Sequence, residues 1–175
     1  MTPPLERIAA GRTDLAVEGL GEDGAAFVTE ALRWCAYYGD VSALRHLLAK
    51  GGSLDVLGHD RGLNAAAFHG HWQLCEFLLE HGAEVNRALP ETGETALHAA
   101  LTHEDRQRYD LTVKVLLAAG ADPNRATLPG APTGSLMRDA RTRGETPLHR
   151  AAAFGAEETV RLLSLIHISE PTRPY

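Results

Sequence analysis

Histidine is the residue type in this chain that most readily suggests chemistry, because nine histidines occur among 175 residues. His69 and His71 flank Gly70 in the stretch FHGHW. Two imidazoles on alternate residues of a turn could share a metal ion. Because no third ligand recurs at a suitable spacing, we assign no metal-binding residue and expect no metal.

Catalytic motifs are the second possibility. The sequence contains no GxSxG, no HExxH, no glycine-rich phosphate loop and no cysteine–histidine pair at a recognisable spacing. Acidic residues do fall where loop tips are expected, and such carboxylates are usually solvated: Asp60, Glu91, Glu94 and Glu145. We therefore assign no catalytic or cofactor-binding residue and expect no cofactor. A cleft that gathers His69, His103 and a carboxylate would favour an enzyme instead.

The composition is that of a chain that can fold on its own and that has no excess of positive charge for binding nucleic acid. It is 44% apolar and 23% charged, with a net charge of -6, and its length suffices for one core. The mild acidity argues against nucleic acid as a partner. No apolar run is long enough to span a membrane and no signal peptide begins the chain, so we expect a cytoplasmic protein without a membrane partner. The content of alanine, glycine and arginine is compatible with a bacterial source.

The elements that would position any site follow one repeated pattern. Each unit opens with a short apolar helix, turns at a glycine and enters a second helix that another glycine closes. Glu30 to Gly51 and Arg61 to Gly82 have the same length, so the first two complete units are in register. Cys35 and Cys75 fall inside the apolar helical patterns, far from any CxxC spacing, and we expect both to be core thiols.

The motifs TALHAA, TPLHRAA, HGAEVN and AAGADPN, at a period of about 33 residues, resemble the consensus of ankyrin repeats. The resemblance covers roughly residues 30 to 163 and implies an all-α solenoid of helix-turn-helix units joined by hairpin-type loops. It also implies that His98 and His149, in the fourth place of the opening motif, are structural residues that link neighbouring loops. Such a stack coheres through contacts between neighbouring repeats.

We expect one ankyrin-repeat domain over residues 1–163. Its parts are a degenerate N-terminal capping repeat at 3–28, repeats at 29–58, 59–90 and 91–125, an inserted loop at 126–142, and a truncated fourth repeat at 143–163. Residues 164–175 break the pattern and resemble translated sequencing-adapter sequence, so we expect a non-native tail there. On that interpretation the natural protein continues and completes the fourth repeat. The alternative is a divergent native tail.

Two stretches depart from the repeat length. Repeat three is a few residues longer than its neighbours, and the surplus in THEDRQRYD predicts a longer turn between its helices. The insertion at 126–142 is rich in turn residues and locally basic. Arg138 and Arg141 in it are candidates for contact with an acidic partner, against the alternative of a solvated loop that only keeps the chain soluble. We expect the insertion to be the least ordered internal region and to tolerate deletion.

The candidate binding residues come from the ankyrin register. By the resemblance, the residue after the fourth opening position and the pair before the inter-helix glycine face a concave groove. That rule selects Trp34, Tyr37, Tyr38, Phe68, His69, Thr102, His103, Arg150 and Phe154. Several are of types enriched in interface hot spots. The alternative is ordinary packing between first helices, which we favour for Phe68 and Phe154.

The sequence therefore predicts a module that binds another protein through this groove and its loop tips, without catalysis and as a monomer. Two alternatives stay open. The chain could be a regulatory domain of a larger polypeptide, or, more remotely, an enzyme with an unrecognised site.

Overall fold

A computed structural model describes residues 24–102, 106–133, 143–154 and 157–168. Within these residues the chain is all-α, as predicted, and contains eight α-helices and no strand. The helices are α1 (Gly24–Tyr38), α2 (Val41–Ala49), α3 (Leu63–Phe68), α4 (Trp72–Glu80), α5 (Ala96–Ala100), α6 (Arg106–Ala118), α7 (Pro147–Phe154) and α8 (Glu157–Ile168). A short 3₁₀ helix lies at Leu54–Leu57. The helices form four consecutive pairs, and the expected capping repeat over 3–28 lies largely outside the described residues.

The pairs are stacked so that equivalent helices touch. First helices contact first helices (α1 with α3, α3 with α5, α5 with α7), and α4 lies between α2 and α6. Each second helix buries at least one leucine, and these leucines include Leu47, Leu78, Leu116 and Leu163. Each such leucine stabilises the fold by roughly 1.5 to 3 kcal/mol. Small residues such as Ala66 and Ala100 keep the first helices thin where they meet.

Local signals in the sequence begin and end the helices. Asp40 caps α2, its carboxylate accepting a hydrogen bond from the Ala43 amide at 2.9 Å. Thr95 and His98 form a reciprocal capping box at the start of α5. The glycines predicted to end the second helices, Gly51, Gly82 and Gly120, all have a left-handed backbone. These predicted turns are confirmed.

Two helix boundaries differ from the sequence prediction. Helix α1 begins at Gly24, inside the stretch assigned to the capping repeat, because the apolar pattern of the first unit extends N-terminally through Phe27 and Val28. The surplus of repeat three was expected in a longer turn, and this is wrong for residues 106–110, which are helical. They make α6 13 residues long, against nine in α2 and α4.

The insertion after repeat three is anchored over its first half. The Thr127 amide donates to the Glu145 carbonyl at 2.9 Å, and the Leu128 amide donates to the Thr92 carbonyl at 2.8 Å. Thr127 and Thr133 are buried. Residues 134–142 lie outside the described part, so the expected disorder and deletion tolerance of the whole insertion stay predictions. Any shortening has to begin after Thr133 to keep these contacts.

The last helix runs past the point where the repeat pattern fails. Helix α8 continues through Ser164 to Ile168, and the Ser164 hydroxyl donates to the Val160 carbonyl at 2.7 Å. A serine in place of the usual leucine is therefore accommodated inside the helix, with its hydroxyl bonded one turn back.

Two glycines with the same backbone conformation should respond differently to alanine. Gly39 (φ 74°) and Gly120 (φ 85°) both need the left-handed region, where an alanine costs about 1 kcal/mol. A Cβ on Gly39 would lie 2.6 Å from Cγ of His71, whereas one on Gly120 meets nothing within 4 Å. We expect Gly120→Ala to lower the free energy of unfolding by about 1 kcal/mol and Gly39→Ala by at least twice that.

Urea unfolding of both variants measures the difference. Adding His71→Ala to Gly39→Ala removes the obstructing ring. The loss of unfolding free energy caused by Gly39→Ala should then come closer to that caused by Gly120→Ala. Equal losses for the two single variants would show that the close approach of the His71 ring does not matter.

Candidate functional site

Five aromatic side chains form a continuous surface across the first two helix pairs, here called the ring cluster: Trp34, Tyr37, Tyr38, Phe68 and His69. Tyr37 touches both neighbours edge to face, with ring centroids 5.1 Å from Tyr38 and 4.9 Å from His69. Trp34 stacks on Tyr38 at 5.9 Å, and Phe68 meets His69 at 5.3 Å. These are favourable separations for aromatic pairs.

The stack brings these rings together. The first three lie on the last two turns of α1, Phe68 ends α3, and His69 follows it. Because α1 packs beside α3, the C-terminal ends of the two helices are neighbours. The Tyr37–His69 contact then joins one repeat to the next.

The cluster is exposed although it is aromatic. Tyr37, Tyr38 and Phe68 retain 56%, 43% and 42% of their surface, while Trp34 and His69 are half-buried. The favoured interpretation of Phe68 as core is therefore wrong, because the alanines at 66 and 67 already fill the space between first helices. A shallow pocket of about 400 Å³ lies against Arg33, Trp34, Tyr37 and Tyr38. Contiguous exposed apolar surface is a feature that protein–protein interaction sites commonly have.

Hydrogen bonds from neighbouring repeats hold the backbone under the rings. The His71 ring donates through Nε2 to the Tyr37 carbonyl at 3.0 Å. The Tyr109 hydroxyl, on the extended part of α6, donates to the Phe68 carbonyl at 2.9 Å. Sequence reasoning missed both supporting roles. For Tyr109 the sequence did contain one signal, the extra residues of repeat three. These residues lengthen α6 towards the second repeat.

The other predicted binding residues either are partly or fully buried or fall outside the described residues. Thr102 is half-buried, and its hydroxyl donates to the Ala99 carbonyl at 2.8 Å, which leaves its oxygen as an acceptor. His103, Arg138 and Arg141 lie outside the described residues, as does the side chain of Phe154. Their assignment to a binding surface stays a prediction.

The position of Arg150 contradicts the prediction made for it from the sequence. It was expected to face a partner, but its side chain is completely buried between repeats three and four. Its guanidinium contacts Glu94, Glu145 (Nε to Oε2, 2.7 Å) and the His98 carbonyl (Nη1 to O, 3.0 Å). A partner cannot reach this side chain in the folded protein, so Arg150 is removed from the candidate surface.

The loop carboxylates are mostly structural as well, which corrects the expectation that they are solvated. Asp60 is buried and accepts hydrogen bonds from the Asn64 amide and side chain, both at 2.9 Å, so it supports the first turn of α3. Glu145 is buried against Arg150. Glu91 is exposed.

Other chemistry finds little support among the described residues. There, no group of three or more histidine, cysteine or acidic residues could hold a metal ion. Burial raises the pKa of both the Cys35 and the Cys75 thiol to about 12, which keeps them protonated and unreactive. No helix in the described ranges is long and apolar enough to cross a membrane.

Stacked helix pairs, glycine-terminated second helices and an exposed face on the first helices define a helical repeat array. The family model for ankyrin repeats (3 copies) matches residues 32–127, and the model for a single ankyrin repeat matches residues 143–168. The chain therefore belongs to the ankyrin-repeat family. Ankyrin repeats generally mediate protein–protein interaction.

Three relatives show how much of a longer protein the chain corresponds to. An ankyrin repeat protein of fowlpox virus (strain NVSL) is 31% identical over 121 residues, which is 66% of this chain and 30% of the viral protein. Ankyrin repeat and SOCS box protein 3 of Homo sapiens is 38% identical over 95 residues, 51% of this chain and 17% of that protein. Diacylglycerol kinase iota of Rattus norvegicus is 34% identical over 121 residues, 67% of this chain and 10% of the kinase. This chain thus spans less than a third of each relative.

The opening-motif histidine His98 has the linking role that the resemblance implied. Its Nδ1 accepts from the Thr95 amide at 3.2 Å, and its Nε2 donates to the Glu145 carbonyl of the next repeat at 2.9 Å. Burial, with the nearby Arg150 charge acting in the same direction, lowers its pKa from 6.5 to about 4. The ring is therefore neutral in the folded protein.

This shift predicts a pH dependence of stability. Because the unfolded chain binds the His98 proton below pH 6.5 and the folded chain only near pH 4, the contribution of His98 is complete above pH 6.5. It is lost towards pH 4 by up to about 1.4 kcal/mol per pH unit. We expect urea unfolding of His98→Asn to show a shallower slope of stability against pH over this range.

His149→Asn is the matched control, since His149 holds the same motif position but is exposed. It should leave the slope unchanged. If His98→Asn unfolds with the slope of the wild type, the folded pKa of His98 is not lowered.

Proposed function

We propose that this chain is a protein-binding module without catalytic activity that holds its partner on the ring cluster. The observation that carries the proposal is the exposure of Tyr37, Tyr38 and Phe68 in one surface across two repeats. Aromatic residues at the centre of an interface contribute much of its binding energy. A partner segment with apolar or aromatic side chains fits such a surface.

Rigidity of the surface supports the proposal. Tyr37 and Phe68 sit on helix ends whose carbonyls are already bonded to His71 and Tyr109. Tyrosine and phenylalanine have two side-chain torsions, so ordering them on binding costs little entropy. A surface organised before the partner arrives needs less free energy to bind it.

The remaining expectations belong to the same proposal. Thr102 and His103 would extend the surface along the third repeat, and Arg138 and Arg141 would offer a second contact to an acidic region of the partner. A monomer acting in the cytoplasm is also part of it, supported by two buried free thiols, which suit a reducing compartment.

A second candidate is a regulatory domain within a longer polypeptide. The coverage of 10% to 30% of the relatives favours it, because in those proteins the matched region is a minor part of the chain. In that case the ring cluster would contact another domain of the same polypeptide. The complete open reading frame of the gene separates the two possibilities, because it shows whether further domains are encoded beside the repeats.

Alanine variants of the rings test the binding surface. Tyr37→Ala, Tyr38→Ala and Phe68→Ala should each weaken partner binding about tenfold or more. Their free energies of unfolding should change by less than about 1 kcal/mol, because these side chains are exposed. A partner isolated with the wild-type chain and then purified allows calorimetric titration of each variant.

Leu111→Ala is the matched control. Leu111 is 44% exposed on α6, similar to Tyr38, and has no part in the ring cluster. The proposal requires it to bind like the wild type. Unchanged affinity in all three ring variants, or a larger loss in Leu111→Ala, would place the interface elsewhere.

A further inference from the structure

Arg150 stands at a register position that no other repeat fills with a charge. The equivalent residues are Trp34, Ala65 and Ala99 in the first three units. Ala65 is exposed and Ala99 half-buried, so this position normally lies at the surface. Arg150 turns inwards from it and reaches back onto the preceding repeat.

The buried guanidinium contacts three groups, which lie in two separate pieces of chain. It contacts Glu94, which precedes α5, and the carbonyl of His98 within α5, both in repeat three. It also contacts Glu145, which precedes α7 in repeat four. Glu145 is itself 2% exposed and Glu94 18% exposed at the side chain. Within the part of the chain that the structure describes, Arg150 is the one cation paired with these two carboxylates.

The same carboxylate-bearing residue holds the inserted segment. The Glu145 amide donates to the Thr127 hydroxyl at 2.8 Å, and the Glu145 carbonyl accepts from the Thr127 amide at 2.9 Å. Leu128 then bonds to Thr92, two residues before Glu94. Residues 127–128 thus run between the loops that carry the two acidic partners of Arg150.

We propose that Arg150 is the positioning residue that docks the fourth repeat onto the third across the insertion. In the other junctions a short hairpin loop already limits where the next repeat can lie. Residues 126–142 are inserted between the third repeat and the fourth, and a longer connection restricts its ends less. The ion cluster adds a side-chain restriction to the backbone bonds at Glu145, because α7 has to lie where the guanidinium reaches both Glu94 and the His98 carbonyl of repeat three. We expect a buried cation of this kind to determine how repeat four is placed on repeat three more than to raise the free energy of unfolding.

Removal of the cation has an effect that can be located. In Arg150→Met the side chain keeps most of its length, while Glu145 is left as a buried carboxylate and Glu94 as a partly buried one, both without their cation. A buried carboxylate without a counter-charge is strongly unfavourable. Repeat four should then undock while the preceding repeats stay folded, because cohesion in such arrays is between neighbours.

Native-state hydrogen exchange of the full chain measures this, using amides of α8 at 157–164 and amides of α4 as the internal reference. We expect Arg150→Met to lower protection in α8 on the order of 100-fold. Protection in α4 should stay within about threefold. Arg161→Met is the matched control in the same repeat, since Arg161 pairs with Glu157 at the surface and exposed pairs contribute little.

A double-variant cycle separates the ion cluster from simple loss of packing. Glu94→Gln alone should lower protection of α8 about tenfold, because it removes one charge from the cluster. The double variant Glu94→Gln, Arg150→Met should protect α8 better than Arg150→Met alone, because the glutamine removes an unpaired carboxylate.

Two results would overturn the proposal. An equal loss of protection in α4 and α8 would show that Arg150 stabilises the whole array and does not dock one repeat. Additive losses for Glu94→Gln and Arg150→Met would show that the two side chains act independently, so that the ion cluster does not position repeat four.

Discussion

Stacking is the constraint on which this structure depends, because no helix pair in the chain can enclose its own apolar face. Leu44 and Leu47 of α2 and Leu74 and Leu78 of α4 are all but inaccessible, and each second helix packs on its own first helix and on the neighbouring pair. The position of every side chain that could contact a partner is therefore set by its neighbours as much as by its own helix. The ring cluster illustrates this, since its central contact joins Tyr37 of one repeat to His69 of the next.

Stacking also explains why large aromatic residues can stay at the surface. The interface between first helices is filled by alanines and by the leucine of the opening motif, such as Ala67 and Leu63. Little space remains there for a ring as large as Phe68. Tyr37, Tyr38 and Phe68 therefore stay exposed, while Trp34 packs against the edge of the core. In the proposed function, binding would use the exposed rings, and folding uses the buried alanines and leucines of the same short helices.

Much of the fold could be predicted because the signals are local and recur. Glycines that need a left-handed backbone, such as Gly51 and Gly82, mark the ends of helices wherever they stand. The opening motif predicted the linking role of His98. Adjacent Tyr37 and Tyr38 cannot both point into the core, since neighbouring residues on a helix point about 100° apart, and both are exposed.

What could not be predicted depends on contacts that cross repeats. Arg150 looks like a surface residue in its own repeat, and its burial follows from Glu94, which is 56 residues earlier. Asp60 is an exception, because the bond that buries it comes from Asn64, four residues later in the same repeat. Helix α6 is longer than its pattern suggested, and this length brings Tyr109 to the carbonyl of Phe68 in the second repeat. Register alone does not show which side chains meet across an interface.

The central claim is that a partner protein contacts the ring cluster directly, and site-specific photo-crosslinking tests it most directly. A photoreactive phenylalanine analogue in place of Tyr37 lies within the proposed interface, and the same analogue in place of Leu111 lies outside it. In the presence of the partner, irradiation should join the partner to the chain from position 37 and not from position 111. Crosslinking from position 111 alone, or with equal yield from both positions, would contradict the assignment of the ring cluster as the binding surface.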